Sequence, residues 1–370
     1  MKNLVRGIDC ARLVLSRLAL KVILRHSSGI VQTVIFAPSL AWRTPLFQRP
    51  HQLARALAHQ GTRVFFMEPG PSRRAPLFRR LNDQLYLCNV TTRAFRAIHK
   101  PLVYLLTWNR HYRAGFESPR VIYDFLDSLE VCIGDPVQVR REHDDLLRTA
   151  RLVLTTSETL YQQAQMIRND ALLCPNGVDY AHFAISGQRR DQPPDDLAPL
   201  LAQGKPMIGY YGALARWFDY PLVEAVATSR PDLVFILIGL DYDGSLKASG
   251  LLNLPNVHWL GLRNYSDLPR YLHSFDVAMI PFELNTITHA TSPLKLFEYL
   301  AGGKPVVVTP MQESLRYEGV LVASSPGEFS RQLDRALELR SSPDYLALID
   351  RVARENTWEV RARHILEALQ

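Results

Sequence analysis

Residues 292–308 read SPLKLFEYLAGGKPVVV, and this stretch decides the fold. A helical pattern opens at Pro293, stops at a pair of glycines and runs directly into a β-branched apolar segment. A helix followed at once by a buried strand is typical of an α/β protein with a parallel sheet. One carboxylate, Glu298, lies in the middle of the predicted helix.

The start of this predicted helix is suited to an anion. Helix N-termini bind anions through free backbone N–H groups and the helix dipole. The hydroxyl of Ser292 and the ammonium of Lys295 suit a phosphate, and Glu298 can accept hydrogen bonds from sugar or ribose hydroxyls. The pattern also fits an ordinary buried unit in which Ser292 caps the helix and Pro293 takes its first position. On the chemistry alone, both interpretations stay open.

Strand and helix patterns alternate along most of the chain. Apolar runs predict strands at 32–37, 63–67, 103–106, 121–123, 152–156, 171–174, 207–211, 233–238, 258–260, 277–281 and 305–309. Helical patterns lie between them, for example at 50–59 and 293–300. This alternation predicts the α/β class with doubly wound parallel sheets.

Length and composition suggest how the domains are arranged. The 370 residues exceed the usual size of a single hydrophobic core. Residues 191–205 have the composition of a linker. We therefore expect an N-terminal domain at 31–190 and a C-terminal domain at 206–355. A basic amphipathic helix at 1–30 and a last helix at 356–370 flank these domains.

Positive charge is concentrated in the first third of the chain. Residues 1–120 carry 20 Lys and Arg against 4 Asp and Glu, whereas the remaining residues carry 23 against 32. This asymmetry predicts an anionic partner for the N-terminal half, namely membrane headgroups or a lipid diphosphate. We expect no nucleic-acid partner, because no nucleic-acid-binding module surrounds the arginine pairs.

The N-terminal helix has a basic side and an apolar side. On a helical projection the basic side holds Arg6, Arg17, Lys21 and Arg25, and the apolar side holds Leu13, Val14, Leu20 and Leu24. The pattern predicts either an anchor in the interface of an anionic membrane or a surface helix packed on the protein's own sheet. No run of about 18 uncharged apolar residues occurs, so we expect no membrane-spanning helix.

The spacing of the cysteines indicates the redox environment in which the protein works. The four cysteines lie far apart without metal-type spacing, which indicates free thiols in a reducing environment. The basic start lacks a convincing signal-peptide cleavage site. We therefore expect a cytoplasmic protein, peripheral on the inner face of the cell membrane if its first helix is an anchor.

Three segments together resemble one family. Residues 292–308 are similar to the donor-sugar signature of retaining GT-B glycosyltransferases (family 4, group 1), and PNGVD at 175–179 resembles the segment that closes their N-terminal domain. QRPHQLA at 48–54 resembles the first helix of a subgroup that builds bacterial cell-surface polysaccharides of the teichuronic acid type. The resemblance implies two Rossmann-like domains facing across a cleft, with the C-terminal helix crossing back to the first domain.

The resemblance implies that the second domain binds a nucleotide sugar. Glu298 matches the carboxylate that binds the nucleotide ribose in such enzymes. Arg216, in the loop opened by Gly212, matches residues that hold the donor diphosphate. The lysine that the family carries in this loop is absent, so we expect Lys295 to supply the missing charge beside Ser292.

The family's pair of carboxylates is broken in this chain. Ala290 stands where the family has the first Glu, which puts the usual mode of donor-sugar binding in doubt. The neighbouring His289 and Thr291 are candidates to contact sugar hydroxyls, although His289 also fits a structural role. Two alternatives therefore stay open: a GT-B-fold binding protein that has lost activity, and a sugar-nucleotide epimerase of the same fold.

In the first domain, carboxylates follow a predicted strand where an acceptor cleft is expected. Asp124 or Asp127 can orient an acceptor hydroxyl or act as a base, and His143 is a further catalytic candidate. Capping a helix is the competing role for Asp127. Trp42 and Arg43, in the loop after the first strand, are expected to line the cleft.

A short acidic triplet raises the question of a metal. Residues 241–243 read DYD, and such a D-x-D triplet binds a metal in GT-A glycosyltransferases, but a three-residue match is weak. We expect no metal and no cofactor beyond the nucleotide sugar as co-substrate. The predicted reaction is transfer to a hydroxyl of a lipid-linked glycan in surface polysaccharide synthesis, with retention implied by the resemblance alone.

Overall fold

The structure, a computed structural model, describes residues 2–25, 32–45, 47–72, 74–132, 134–184 and 192–370. Contacts divide the chain into two units, one formed by Met1–Pro175 with Trp358–Gln370 and the other by Asn176–Thr357. The sequence places the first boundary near residue 190, whereas the contacts place it after Pro175. Residues 185–191, the end of the expected N-terminal domain and the first residue of the expected linker, lie outside the described residues.

Each unit contains a sheet whose strands are mainly parallel. The first sheet consists of β1 (Thr33–Phe36), β2 (Arg63–Met67), β3 (Phe78–Arg80), β4 (Leu85–Cys88), β5 (Leu102–Leu106), β6 (Arg120–Phe125), β7 (Leu152–Thr155) and β8 (Leu172–Leu173). The second consists of β9 (Met207–Tyr211), β10 (Val234–Ile238), β11 (Val257–Gly261), β12 (Val277–Ile280), β13 (Val306–Val308) and β14 (Val320–Val322). Their orders are β3-β4-β2-β1-β5-β6-β7-β8 and β11-β10-β9-β12-β13-β14, and β3 with β4 is antiparallel.

Helices alternate with these strands. They are α1 (Lys2–Arg25), α2 (Arg49–His59), α3 (Pro136–Thr149), α4 (Glu158–Gln165), α5 (Tyr180–Phe183), α6 (Ala198–Leu201), α7 (Tyr220–Ser229), α8 (Ser245–Ala248), α9 (Leu268–Ser274), α10 (Thr286–His289), α11 (Leu294–Ala301), α12 (Pro326–Leu339), α13 (Pro343–Glu355) and α14 (Trp358–Leu369). Every residue of β2, β5, β9 and β10 is buried, as expected for parallel strands covered on both faces. The α/β class with doubly wound sheets is confirmed.

The QRPHQLA motif forms the start of α2. The backbone N–H of Gln48 donates to Nδ1 of His51 over 3.2 Å, which caps the helix. The other ring nitrogen of His51 lies 3.0 Å from the carbonyl oxygen of Ala41. Burial lowers the pKa of His51, so the ring is neutral and can accept at one nitrogen while donating at the other.

Arg49 of the same motif forms a buried ion pair. Its Nε and Nη2 donate to the two carboxylate oxygens of Asp124 over 2.7 and 3.1 Å, and Nη1 donates to the carbonyl oxygen of Pro175 over 3.1 Å. The Tyr104 hydroxyl also donates to Asp124, and the guanidinium lies 5.9 Å from the ring centre of Trp358. Burial alone would lower the pKa of Arg49, but Asp124 outweighs it and raises that pKa. Arg49 thus connects α2 directly with β6 and with the end of the segment Met1–Pro175. The same cluster includes β5 through Tyr104 and α14 through Trp358.

The N-terminal helix presents a different face from the one that its sequence suggests. Ser16 and Leu20 are buried, and the Arg12 guanidinium donates to the carbonyl oxygens of Ser72 and Asn89 over 2.9 and 3.1 Å. Four apolar side chains face outward, since Val14, Leu15, Leu18 and Val22 are 52%, 57%, 55% and 54% exposed. Lys21 and Arg25 are exposed as well, as the sequence predicts.

This arrangement corrects the two predicted sides of α1. The helical projection places Arg17 on the basic side, but in the structure its Nη2 donates to the carbonyl oxygen of Arg93 over 3.4 Å. Val14 was placed with the packed leucines and faces outward instead. The side chain of Arg6 lies outside the described residues. Within the described ranges, no helix is long and apolar enough to cross a membrane.

Arg49→Met should destabilise the first unit strongly, because it leaves the Asp124 carboxylate buried without its counter-ion. We expect the free energy of unfolding to fall by about 3–5 kcal/mol. The exposed pair of Arg80 with Asp83 provides a matched control, and Arg80→Met should cost less than about 1 kcal/mol. Urea unfolding measures both variants.

A double variant separates the ion pair from simple packing. Arg49→Met combined with Asp124→Leu removes both charges, so it should be less destabilised than Arg49→Met alone. If Arg49→Met costs no more than Arg80→Met, the ion pair does not hold this unit together.

Candidate functional site

In the second unit, two glycines allow the backbone segments that follow two neighbouring strands to approach each other closely at the carboxyl ends of those strands. Gly212 follows β9 and Gly239 follows β10, with φ of 144° and 147°, values that favour glycine. A Cβ on Gly239 would lie 1.8 Å from the carbonyl oxygen of Gly212. A Cβ on Gly212 would lie 2.8 Å from Cε of Lys295. The carboxyl edge of a parallel sheet is where such folds bind ligands, and here Lys295 reaches that edge.

Lys295 lies in the first turn of α11 without a counter-ion. Its Nζ is 5.4 Å from the ring centre of Tyr210 and 4.8 Å from that of Phe282. No hydrogen-bond acceptor or carboxylate pairs with it within the ranges that the structure describes. Burial lowers the pKa of Lys295 to about 8. Burial removes water contacts from this ammonium, and an anion placed beside Gly212 would replace them and stabilise the charged form.

Glu298 lies one turn further along α11 and is 4% exposed. Burial raises its pKa to about 8, although the Tyr211 hydroxyl and the Lys295 charge act to lower it. The helix is fixed against β9 because the Tyr299 hydroxyl accepts the backbone N–H of Tyr211 over 2.9 Å. Glu298 and Lys295 are therefore presented together from a rigid element.

Ser292 joins two of the sequence motifs. Its hydroxyl oxygen accepts the backbone N–H of Asn176 over 3.0 Å, and the Asn176 amide donates to the Ser292 carbonyl oxygen over 2.8 Å. The prediction that Ser292 caps the helix is wrong, because α11 begins at Leu294 without a side-chain cap. The first N–H groups of α11 have no partner within the helix, so this end still suits an anion.

Arg216 lies in the loop after Gly212, and its side chain is exposed. Its backbone N–H donates to a carboxylate oxygen of Asp243 over 3.0 Å. Asp241, the other acidic residue of the D-x-D triplet, accepts the backbone N–H of Leu246 over 3.2 Å. Both carboxylates therefore bind backbone N–H groups in turns. Among the described residues, no group of three or more His, Cys, Asp and Glu could hold a metal ion.

The loop with the missing carboxylate forms the short helix α10. Ala290 is 3% exposed, so methyl packing occupies the position where the family carries a Glu. The Thr291 hydroxyl donates to the carbonyl oxygen of Ile287 over 2.9 Å. Nδ1 of His289 accepts the backbone N–H of Gln312 over 3.4 Å. His289 is half-buried.

Two of the catalytic candidates in the first unit are buried in structural contacts. Asp124 is 0% exposed and bound to Arg49, so it presents no free oxygen to an acceptor. His143 is 2% exposed, and its Nδ1 lies 2.7 Å from the Tyr123 hydroxyl. Burial lowers the pKa of His143 to about 4, which keeps the ring neutral. Both residues are corrected to structural roles.

Asp127 differs from these two residues. It is half-buried, and no hydrogen-bond or ion-pair partner meets its carboxylate in the part of the chain that the structure describes. Burial and the Asp124 charge raise its pKa to about 6. It does not cap the following turn, since the Ser128 hydroxyl accepts the N–H of Glu130 over 3.4 Å. Asp127 is thus available to accept a proton.

The loop after β1 places its two candidates differently. The Trp42 ring packs against the rings of Phe47, His51 and Phe66, with centres 5.1 to 5.5 Å apart. Arg43 is exposed and lines a cavity in the first unit. Sequence reasoning missed Tyr210, Tyr211 and Phe282, which surround Lys295 and Glu298. The signal for the two tyrosines was the aromatic pair at the end of β9, whereas Phe282 follows β12.

The second unit matches a known protein family. Residues 205–339 match the family described as "Glycosyl transferases group 1". The chain is 30% identical over 201 residues to "Putative teichuronic acid biosynthesis glycosyltransferase TuaH" of Bacillus subtilis (strain 168), an alignment that covers 52% of this chain and 49% of that protein. The chain thus spans about half the length of the curated relative that it matches.

Solved structures share the fold. A sucrose-phosphate synthase from Thermosynechococcus elongatus has a TM-score of 0.63 at 16% identity, covering 91% of this chain and 98% of that one. HepE from Anabaena, solved in complex with UDP and glucose, has a TM-score of 0.61 at 17% identity, covering 91% and 99%. With the two parallel sheets, these likenesses identify the fold as GT-B.

The titration of Glu298 should appear in the pH dependence of stability. Its folded pKa of about 8 lies above its ordinary value of 4.5, so the folded state keeps a proton that the unfolded state releases. The contribution of Glu298 is complete below pH 4.5 and is lost as pH rises to about 8. The advantage of the native protein over Glu298→Gln should therefore shrink across this window.

Urea unfolding at about pH 5, 6.5 and 8 measures this difference. Glu338→Gln, an exposed substitution on α12, is the control and should keep a constant difference. If the difference for Glu298→Gln is also constant, the carboxyl does not carry a raised pKa.

Proposed function

We propose that this GT-B protein, whose second unit matches group 1 glycosyltransferases, moves a sugar from a nucleotide-sugar donor to a hydroxyl of a glycan. The observation that carries the proposal is the ammonium of Lys295. It lies half-buried beside Gly212, at the N-terminal end of α11 and within the matched residues, and no carboxylate of the described chain forms an ion pair with it. A donor diphosphate provides the anion that this arrangement lacks.

The geometry of the second unit supports each proposed donor contact. Lys295, the first N–H groups of α11 and the exposed Arg216 would bind the diphosphate, and the proton on the Ser292 hydroxyl is free to join them. Glu298, one turn beyond Lys295, would accept hydrogen bonds from ribose hydroxyls. His289 and Thr291, on the loop that lacks the first carboxylate, remain the proposed sugar contacts.

Transfer of the sugar requires the protein to stabilise the departing diphosphate. Positive charge and helix N–H groups aimed at the leaving group supply that stabilisation in a water-poor site. We propose that transfer proceeds without a metal or other cofactor, since Lys295 and Arg216 meet the phosphate charge. Retention at the anomeric carbon rests on the family resemblance. Uridine nucleotides are the first donors to test, because HepE was solved with UDP.

The acceptor is proposed to be a lipid-linked glycan bound by the first unit. Asp127, with its raised pKa and unpaired carboxylate, would orient the acceptor hydroxyl or take its proton. The likeness to TuaH supports a role in surface polysaccharide synthesis. A hexosyl donor is the finer proposal for the sugar class.

We propose that the protein works on the cytoplasmic face of an anionic membrane. Val14, Leu18 and Val22 recur every four residues and form an exposed apolar stripe on α1. Exposed Lys21 and Arg25 lie beside the stripe. An apolar stripe bordered by cations is the surface that lies in the interface of anionic lipids.

Turnover and binding test the donor assignment together. Thermal shifts against a panel of nucleotide sugars identify the donor, and release of nucleoside diphosphate with sugar transfer measures activity. Lys295→Ala should weaken binding of the nucleoside diphosphate by about ten- to a hundredfold and leave the bare nucleoside unaffected, because it removes a charge-assisted contact to phosphate. Glu298→Gln should weaken both ligands alike.

Calorimetry on both ligands decides the roles, with Arg216→Ala as the comparison. Equal losses for the two ligands in Lys295→Ala would mean that Lys295 supports the fold or the base pocket. Binding without any turnover of the donor would identify a protein that kept the site and lost the reaction. Conversion of the free donor without an acceptor would identify an epimerase.

The membrane assignment predicts loss of vesicle binding when the stripe is made polar. Val14→Ser, Leu18→Ser and Val22→Ser together should reduce affinity for anionic phospholipid vesicles by about tenfold or more, because they remove the apolar contact. Val137→Ser with Met166→Ser is the control, since those side chains are 77% and 80% exposed elsewhere in the first unit. Sedimentation with vesicles measures both, and equal losses would contradict the assignment.

A further inference from the structure

The first unit contains a cavity at the carboxyl edge of its parallel strands. The cavity has a volume of about 340 Å³. Its walls come from the loop after β1, which carries Arg43, from the loop after β2, which carries Glu68, and from β3 and the end of β4, which carry Arg79 and Asn89. Parallel α/β sheets bind ligands at this edge, so the position suits a substrate.

The cavity is distinguished by its unpaired guanidinium groups. Within the described ranges, neither Arg43 nor Arg79 has a hydrogen-bond or ion-pair partner. Glu68, the acidic residue in the wall, instead accepts the backbone N–H of Trp42 over 3.3 Å. The Asn89 side chain is also engaged, because its amide donates to the carbonyl oxygens of Ser72 and Ala75 over 2.6 and 2.9 Å. The uncommitted groups are therefore cationic donors.

A second cavity in the same unit shows the contrast. It has a volume of about 740 Å³, and its walls include Arg110 and Arg113. Arg110 pairs with Glu142, and Arg113 pairs with Asp145. These two arginines are neutralised by neighbouring carboxylates, and in the described part of the chain only Arg141 of this lining lacks an ion-pair partner among the arginines. The smaller cavity thus holds two unpaired guanidinium groups against one in the larger cavity, which favours the smaller one as the site for an anion with two charges.

The cavity adjoins the proposed membrane-facing helix. The Arg12 guanidinium of α1 donates to the carbonyl oxygens of Ser72 and Asn89, and both residues line the cavity. Two or three turns further along the helix lie the exposed Leu18 and Val22. A ligand that reaches this cavity from a bilayer beneath α1 would enter with its headgroup first.

We infer that Arg43 and Arg79 bind the diphosphate of the lipid-linked acceptor. Guanidinium groups recognise phosphate oxygens by paired, charge-assisted hydrogen bonds, and two unpaired guanidiniums match the charge of one diphosphate. The inference rests on the proposed function, which supplies the lipid-linked acceptor. It names the chemical class that the first unit recognises, a diphosphate joined to a glycan, independently of the sugar sequence.

Inorganic pyrophosphate is the probe, and calorimetry is the measurement. The experiment uses full-length Lys295→Ala protein, in which the donor diphosphate site is weakened. This protein should still bind pyrophosphate. Adding Arg43→Ala and Arg79→Ala should reduce that affinity by about tenfold or more. Adding Arg80→Ala instead should change it by less than about twofold, because neighbouring strand residues face opposite sides and Arg80 pairs with Asp83.

Two outcomes would show that Arg43 and Arg79 do not form an anion site. One is complete loss of pyrophosphate binding in Lys295→Ala, which would place all of it in the second unit. The other is an equal effect of the Arg43→Ala/Arg79→Ala pair and Arg80→Ala. Vesicles containing phosphatidylglycerol separate the sources of phosphate. If the Arg43→Ala/Arg79→Ala pair weakens vesicle binding as much as pyrophosphate binding, the cavity binds bilayer headgroups and the acceptor assignment is wrong.

Binding of nucleoside diphosphate at the donor site is a measurement independent of the cavity. In a background with native Lys295, Arg43→Ala and Arg79→Ala should leave the affinity for nucleoside diphosphate unchanged within about twofold. Absence of sugar transfer by the native protein would then count against the proposed function. Retained pyrophosphate binding in the cavity would still support an anion site in the first unit.

Discussion

The buried ion pair of Arg49 with Asp124 is the interaction on which the first unit depends. A charged side chain removed from water must have its hydrogen-bonding groups satisfied, and Arg49 meets that requirement with Asp124 and the Pro175 carbonyl. The guanidinium can only do so if α2, β6 and the end of the first chain segment are in place. Trp358 of α14 packs near the same group, so the last helix also belongs to this arrangement.

The same rule separates charges that the fold satisfies from charges that it leaves unpaired. Arg49 is surrounded by acceptors, and its role is complete within the fold. Lys295 is held against Tyr210 and Phe282 with its pKa lowered by burial and without an acceptor in the described chain. A protein tolerates such a group where a ligand supplies the missing charge. Asp124 and Asp127 repeat the contrast within the first unit, since one is fully bound and the other is unpaired.

The fold was predictable where burial and periodicity agree. The strands β2 and β9 coincide with their apolar runs, because strands covered on both faces must be apolar throughout. The short antiparallel pair of β3 and β4 is not predicted from the sequence. Arg79 and Arg80 give the edge strand β3 the composition of a charged loop. The projection of α1 is right for Leu20, Lys21 and Arg25 and wrong for Arg17 and Val14, because it assumes that charged residues face water. Arg12 and Arg17 instead point inward and bind loop carbonyls, which the sequence cannot reveal.

Under the proposed function, the missing carboxylate affects one part of the site and leaves another intact. Ala290 lies at the end of α10, whereas Lys295 and Glu298 share α11, which Tyr299 fixes against β9. The groups proposed to hold the diphosphate and ribose are thus positioned by an element that does not depend on residue 290. Loss of a carboxylate there removes a hydrogen-bond acceptor for the sugar without changing the charge that stabilises the leaving group. The substitution therefore bears first on which sugar is bound, and the half-buried His289 beside it is the group placed to make that selection.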